Sequence, residues 1–287
     1  MMQRYQRYDA VFFDLYGTLV DIRTDESSDA AWEALREALT AQCGVSYPDT
    51  ESLRSRFDEL AAPIRAAAVA RHGEWAEPDL LPVYRGLAHD SGDDQGARAL
   101  AWSFRRASTS LLRLYPGASE LLARLRTAGL RIVLVSNAQS CYTRPELDLL
   151  GLTAAFDCIV ISSEAGVRKP SPELFRRALE AGQLAPSRVV MVGNDERADI
   201  LGARAAGMDG VYLRTVISPP DDPAASAHAV CSLAGPDYAS LMRYLGILAG
   251  LRAGSAAEGR PAGLSGGLTN GAAEGAAERP TVESSEE

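Results

Sequence analysis

The sequence has almost no lysine. It carries 28 arginines and a single lysine, Lys169. Arginine is a wide planar fork and lysine a compact point charge. A chain so biased keeps its lysine by chance or because arginine does not fit there. Cysteine is also sparse. Cys43, Cys141, Cys158 and Cys231 lie far apart with no CxxC, which reads as neutral thiols in a reducing cytoplasm rather than a disulfide framework. The three histidines, His72, His89 and His228, fall in no usable ligand spacing. No stretch approaches the ~18 apolar residues of a membrane helix, and residues 1–10 carry no secretory pattern. Positive charge is lacking overall. The net charge of −9 excludes sequence-independent nucleic-acid binding, which needs a basic face to displace counterions. Residues 252–287 contribute six Glu and three Arg to that balance.

What is present is a globular chain of 287 residues, 46% hydrophobic, enough for one or two domains with a sizeable core. The apolar run Ala10–Phe13 reads as a strand that ends at Asp14. From Asp29 to about Arg113 the period becomes helical. Trp32, Leu35 and Leu39 share one face; so do Leu53, Phe57, Leu60 and Ile64, and Leu100, Phe104 and Leu111. Breaks at Tyr47-Pro48-Asp49, His72-Gly73 and residues 90–94 divide this stretch into about four helices with no strand. An α/β alternation follows. A helix opens after Pro116-Gly117 and runs to about Thr127, and strands are expected at 130–136, 156–161, 189–192 and 210–213. Helices are expected at 172–181 and about 198–206. Strands spaced by helices of this length imply a parallel sheet, whose ligands bind at the strands' carboxyl ends. A short edge strand at 229–233 and a last helix at 236–251 complete the pattern. Residues 253–287 are rich in Ala, Gly, Ser and Glu and bury too little to offset their ordering entropy, so a disordered tail is expected.

The chemistry-bearing residues sit just after the strands. Asp14 and Thr18 follow the first and Ser136-Asn137 the second. Lys169-Pro170 follows the third and Gly193-Asn194-Asp195, with Asp199, the fourth. All would converge on one crevice. Each residue alone could be a strand-end or helix cap; together they gather carboxylates, a hydroxyl and the only ammonium of the chain.

The order Asp14-x-x-Gly17-Thr18, Ser136-Asn137, Lys169-Pro170, Gly193-Asn194-Asp195-x-x-x-Asp199 resembles the haloacid dehalogenase-like (HAD) hydrolase superfamily over roughly residues 8–250. The resemblance implies an α/β fold, a Rossmann-like doubly wound parallel sheet with an inserted α-helical C1 cap. Residues 1–21 and 114–252 would form the core, 22–113 the cap and 253–287 the tail. It implies Asp14 as nucleophile, Thr18 orienting its loop, and Ser136, Asn137 and Lys169 holding the phosphoryl group of a small-molecule substrate. Mg²⁺ would be held by Asp14, the Tyr16 backbone carbonyl and Asp195, with Asp199 direct or through water. Oxygen ligands suit that ion.

Tyr16 divides the reading. The family's phosphatases usually place there an Asp that protonates the leaving alkoxide. Asp14-Leu15-Tyr16-Gly17-Thr18-Leu19 looks more like the 2-haloacid dehalogenases, which attack carbon, need no second acid and use no metal. Those enzymes also carry a tyrosine six residues after the motif lysine, where this chain has Phe175. Their fourth motif is Ser-rich, whereas here it is the acidic pair Asp195 and Asp199. No arginine matches their halide-binding one clearly, although Arg23, Arg36, Arg54, Arg56 and Arg65 are available. An additional buried carboxylate is costly without a cation, so the expectation is a Mg²⁺-dependent phosphohydrolase working through an aspartyl-phosphate. An L-2-haloacid dehalogenase working through an aspartyl-ester and a weakly active or non-catalytic ligand-binding protein are the alternatives. Substrate choice is expected from the cap, with Arg23 and Asp25 as candidate contacts.

Overall fold

The computed structural model describes residues 7–89 and 93–247. Strand β1 (Ala10–Phe13) leads into a loop and β2 (Val20–Thr24). Four helices follow: α1 (Asp29–Cys43), α2 (Thr50–His72), α3 (Leu81–Leu87) and α4 (Asp94–Ser108). Strand β3 (Thr109–Leu114) returns the chain to an alternating segment. That segment comprises α5 (Ala118–Thr127), β4 (Arg131–Ser136), α6 (Ser140–Leu149), β5 (Cys158–Ile161), α7 (Ser162–Ala165), α8 (Pro172–Gly182) and β6 (Val189–Gly193). A π-helical turn at Glu196–Leu201 continues into α9 (Gly202–Ala205), followed by β7 (Asp209–Arg214), β8 (Cys231–Ala234) and α10 (Tyr238–Tyr244).

Six strands form one sheet in the order β5-β4-β1-β6-β7-β8. Every pairing in it is parallel. Successive strand residues point to opposite faces, and the packing follows that rule. Val11, Phe13, Ile132, Leu134, Val190 and Val192 pack on one side with Leu121 and Leu125 of α5 and Leu241 of α10. Ala10, Phe12, Val133, Val135, Val189 and Met191 pack on the other with Leu174, Phe175 and Ala178 of α8. Both faces are covered, which is why the strands read as continuous apolar runs. The fold is the doubly wound α/β architecture expected from the sequence.

Helices α1–α4 have their own core, built around Trp32, Leu35, Phe57, Tyr84, Leu100 and Phe104. Its rings meet edge to face, as with Trp32 and Phe57 at 5.4 Å and Trp32 and Phe104 at 5.1 Å between centroids. Cys141 and Tyr142 of α6 complete this cluster, and the Tyr84 and Tyr142 hydroxyls are hydrogen-bonded.

Three expectations needed correction. The stretch up to Arg113 is not free of strand: β3 pairs antiparallel with β2, with Asp21 opposite Arg113 and Ile22 opposite Leu112. Leu111 therefore belongs to a strand and not to the stripe of Leu100 and Phe104. The helix ends because the Ser108 and Thr109 hydroxyls both bond back to the Arg105 carbonyl. Helix α6 was not foreseen, since Pro145 falls inside it. The last helix stops at Tyr244, and Gly246 takes a positive φ of 73°. The expected tail at 253–287 lies outside the described residues. All four cysteines are free thiols. No described helix is long and apolar enough to cross a membrane.

Candidate active site

Strands β4, β1 and β6 are neighbours, so Ser136-Asn137, Asp14 and Asn194-Asp195 emerge side by side at the carboxyl edge. The loop after α7 brings Lys169 to them, and the Lys169–Pro170 bond in it is cis. Asn137 fixes that loop reciprocally: its side-chain oxygen accepts from the Lys169 N–H at 2.7 Å and its Nδ2 donates to the Lys169 carbonyl at 3.1 Å.

Lys169 is the centre of the cluster. It is 3% exposed, and its Nζ donates to Asp14 Oδ1 at 2.8 Å and to the Val135 carbonyl at 2.7 Å. The same nitrogen lies 2.7 Å from Asp199 Oδ1. That approach is an ion pair outside hydrogen-bond alignment, and the oxygen has no aligned donor. Burial works against the lysine's charge, but Asp14 and Asp199 more than offset it and hold its pKa above the ordinary value. Asp199 accepts the Asp195 N–H on its other oxygen at 3.0 Å. Its pKa is pushed up to about 7 by burial, against the pull of Lys169 and helped by Asp14.

The Asp14 loop is held from two sides. Thr18 Oγ1 donates to Asp14 Oδ2 at 3.1 Å. With the Asn194 amide turned to suit its neighbours, its nitrogen donates to Asp14 Oδ2 at 3.3 Å and to the Tyr16 carbonyl at 3.1 Å. This approach explains the glycine of the first motif. Gly17 has φ +87°, and a Cβ there would lie 2.2 Å from the terminal amide of Asn194. Likewise a Cβ on Gly193 would lie 2.2 Å from Asp199 Oδ2.

Asp195 caps the π-helical turn, accepting the Ala198 N–H at 2.6 Å. Burial raises its pKa, and Asp222 and Asp14 raise it further. Ser136 Oγ is fully buried and has no partner among the described residues. A crevice of about 200 Å³ is lined by Asp14, Tyr16, Asn137, Lys169, Asn194, Asp195 and Asp199. Of the sequence-derived residues, Asp14, Tyr16, Asn137, Lys169, Asp195 and Asp199 line this crevice, while Thr18 and Ser136 are buried beside it; one of these side chains is an exception of orientation.

That exception is the Tyr16 side chain. Its hydroxyl meets Thr143 Oγ1 at 2.9 Å and donates to Glu146 Oε2 in a short contact. Burial, with the Glu146 charge adding, raises the phenol pKa well above its ordinary value. Glu146 in turn holds Arg105 Nε at 2.7 Å, and Arg105 Nη1 donates to Glu26 at 2.7 Å. The Arg105 guanidinium stacks near the Tyr142 ring at 5.2 Å. Tyr16→Phe removes a phenol that is already committed to Thr143 and Glu146. It should cost about 1–3 kcal/mol in urea unfolding, because Glu146 loses a donor in a buried place.

Sequence reasoning missed Arg105, Glu146, Gln139 and Glu77. Arg105 gave one signal: it sits on the apolar stripe of α4 beside Ala97, Ala101 and Ser108, where a charge is out of place. The arginines that sequence reasoning offered lie elsewhere. Arg36, Arg54, Arg56 and Arg65 pair with Glu33, Asp29, Glu59 and Asp58 on helix surfaces.

A second cavity of about 300 Å³ adjoins the crevice and shares Tyr16 and Asn137 with it. Its remaining wall includes Glu26, Glu77, Arg105, Gln139, Tyr142 and Thr143. A larger hollow of about 410 Å³, lined by Trp102, Arg106, Leu112 and Leu149 among others, contains none of the crevice residues.

The donor set fits a hard divalent cation in part. Among the described residues no three acidic, histidine or cysteine side chains are grouped to hold an ion by themselves. Magnesium is commonly held by one or two carboxylates plus water and substrate oxygens. Asp14 and Asp195 line one crevice with Tyr16, and three carboxylates there face a single ammonium. Asp199 is committed on both oxygens to Lys169 and the Asp195 N–H, which leaves it the outer role.

Known proteins resemble this chain in both sequence and fold. Residues 8–207 match the haloacid dehalogenase-like hydrolase family. Phosphoserine phosphatase of Thermus thermophilus is 36% identical over 182 residues, which is 63% of this chain and 72% of that protein. Glyceraldehyde 3-phosphate phosphatase of Methanothermobacter thermautotrophicus is 34% identical over 215 residues, covering 73% of this chain and 87% of that one. Among solved structures, a 2-haloacid dehalogenase from Pseudomonas syringae superposes with a TM-score of 0.54 at 20% identity, over 83% of this chain and 99% of that one. A HAD phosphatase from Thermococcus onnurineus does so with 0.51 at 21%, over 83% and 98%. These two superpositions bear on the fold alone.

Proposed function

The chain belongs to the haloacid dehalogenase-like hydrolase family, and from that premise we propose that it is a Mg²⁺-dependent phosphohydrolase acting on a small phosphate monoester. The observation that carries the reading is the charge imbalance of the crevice. Lys169 bridges Asp14 and Asp199, with Asp195 alongside. An anionic nucleophile approaching an anionic phosphoryl group needs further positive charge. The related phosphatases named above point the same way. Arg105 does not serve as a free halide site, being engaged by Glu26 and Glu146.

In this reading the Asp14 carboxylate attacks phosphorus, the P–O bond to the leaving group breaks, and an aspartyl-phosphate forms. Water then attacks the same phosphorus, releases inorganic phosphate and restores the carboxylate. Lys169 and Ser136 bind phosphoryl oxygens, Thr18 and Asn194 hold Asp14 in line, and Asn137 fixes the loop that carries Lys169. Mg²⁺, held by Asp14, the Tyr16 carbonyl and Asp195 with Asp199 behind them, would supply charge neutralisation when bound. The leaving oxygen takes no proton from Tyr16, which is tied to Glu146. Esters whose alcohol is already acidic are therefore favoured. Residues 22–113 act as the cap that closes over the crevice and excludes water.

Two measurements test this. Hydrolysis of p-nitrophenyl phosphate should fall to background after exhaustive EDTA treatment and return with added Mg²⁺; activity that survives chelation contradicts the metal assignment. Chloride release from 2-chloropropionate should be absent with or without metal, and its presence would restore the dehalogenase alternative.

A further inference from the structure

The cavity beside the crevice is where a leaving group would lie, so its charge bears on substrate class; this step rests on the phosphohydrolase reading. Three charged side chains line it, Glu26, Glu77 and Arg105. Arg105 is 7% exposed and neutralised by its own pair of carboxylates, Glu146 and Glu26, each at 2.7 Å. It offers no free charge to a substrate anion. Glu77 is different.

Glu77 is placed by the backbone. Its N–H donates to the Gly166 carbonyl at 3.0 Å, and the Arg168 N–H donates to the Trp75 carbonyl at 2.8 Å. These bonds join the segment after α2 to the loop that carries Lys169. The Arg197 guanidinium stacks 5.0 Å from the Trp75 ring centroid and closes the same seam. The Glu77 side chain is also held. Gln139 Nε2 donates to Glu77 Oε1 at 3.0 Å and to the Pro78 carbonyl at 2.9 Å, while Gln139 Oε1 accepts the Leu80 N–H at 3.0 Å. Among the described residues that single amide is the only side-chain hydrogen-bond donor to the carboxylate. Burial raises the Glu77 pKa, and the charge of Arg168 and the Gln139 bond oppose the rise. A carboxylate fixed on a cavity wall with one protein donor keeps open acceptor positions for a ligand's donor.

We infer that Glu77 sets the charge of the leaving group, so that the preferred phosphate monoesters carry an ammonium on their alcohol rather than a carboxylate or second phosphate. The substituent would complete the hydrogen bonding of the Glu77 carboxylate, while an anionic one would meet Glu77 and Glu26 in a cavity whose only cationic lining residue among the described residues, Arg105, is already paired.

The test compares O-phosphoethanolamine with 2-phosphoglycolate, which share a two-carbon frame and differ in the charge of the distal group. The full chain with Mg²⁺ should favour the ammonium ester by about tenfold or more in kcat/KM, the scale of one charge-assisted hydrogen bond. Glu77→Gln should bring the ratio close to one, mainly by raising KM for O-phosphoethanolamine, and Glu77→Asp should recover part of the preference. A merely structural loss would lower both substrates together and leave the ratio in place. Equal or reversed preference in the unmodified protein overturns the inference, as does a ratio that Glu77→Gln leaves unchanged. Turnover of p-nitrophenyl phosphate without an ammonium preference removes this inference alone. Failure to hydrolyse any phosphate ester removes the phosphohydrolase reading and this inference with it.

Discussion

Lys169→Met is expected to lower kcat/KM for p-nitrophenyl phosphate by about a hundred- to a thousandfold, the range seen when one charge-stabilising donor is lost. It should also reduce stability by about 3–5 kcal/mol, the range for stripping one partner from a buried ion pair. Both effects come from one geometry. The ammonium is buried and sits within 2.8 Å of Asp14 and 2.7 Å of Asp199. Without it, two carboxylates face each other with no compensating charge, and the Val135 carbonyl loses its donor. The sign with pH follows from Asp199, whose folded pKa burial already raises. A group that holds its proton more tightly when folded costs stability as pH rises through its titration. Removing the lysine should therefore cost more at about pH 8 than at about pH 5. Lys169→Arg should not rescue the enzyme, since a planar fork does not fit a slot that is 3% exposed. Urea unfolding at the two pH values, beside steady-state kinetics, checks all four statements.

Asp14→Asn should separate activity from stability. Turnover should fall at least about ten-thousandfold, since no other side chain takes over a covalent nucleophile. The fold should keep its stability within about 1 kcal/mol, because the amide has the same shape, its oxygen can still accept from Lys169, and its nitrogen can donate to the Thr18 hydroxyl in place of the second oxygen. Removing the negative charge also relieves Asp195 and Asp199, both of which Asp14 pushes upward. An Asp14→Asn protein that loses several kcal/mol would mark Asp14 as structural. One that keeps full turnover would remove it from the chemistry.

Much of this was legible in the sequence. The parallel sheet followed from the spacing of apolar runs, and the crevice from what stands after each run. Asp14, Ser136, Lys169 and Asp195 are local signals: a polar residue that ends a buried strand, or a lone lysine among arginines. The strand pair β2–β3 was hidden because its register is non-local, with Val20 opposite Leu114, and its short apolar run continues the helical period of α4. Helix α6 was hidden by Pro145, although that helix supplies Thr143 and Glu146 to Tyr16. Glu77, Gln139 and Arg105 come from three separate elements, and no periodicity places them together. The question at Tyr16 could not be answered from the motif. A phenol two residues after the nucleophile could have pointed at the substrate; its actual partner lies 130 residues away.

The central claim is that Asp14 carries the phosphoryl group during turnover. Acid quenching of the enzyme during steady-state hydrolysis of a labelled phosphate ester, followed by peptide mapping, tests it directly. The account predicts label on the peptide that contains Asp14, lost on treatment with hydroxylamine and absent from Asp14→Asn. Steady release of phosphate with no label on the protein, or with label on a peptide lacking Asp14, would contradict it.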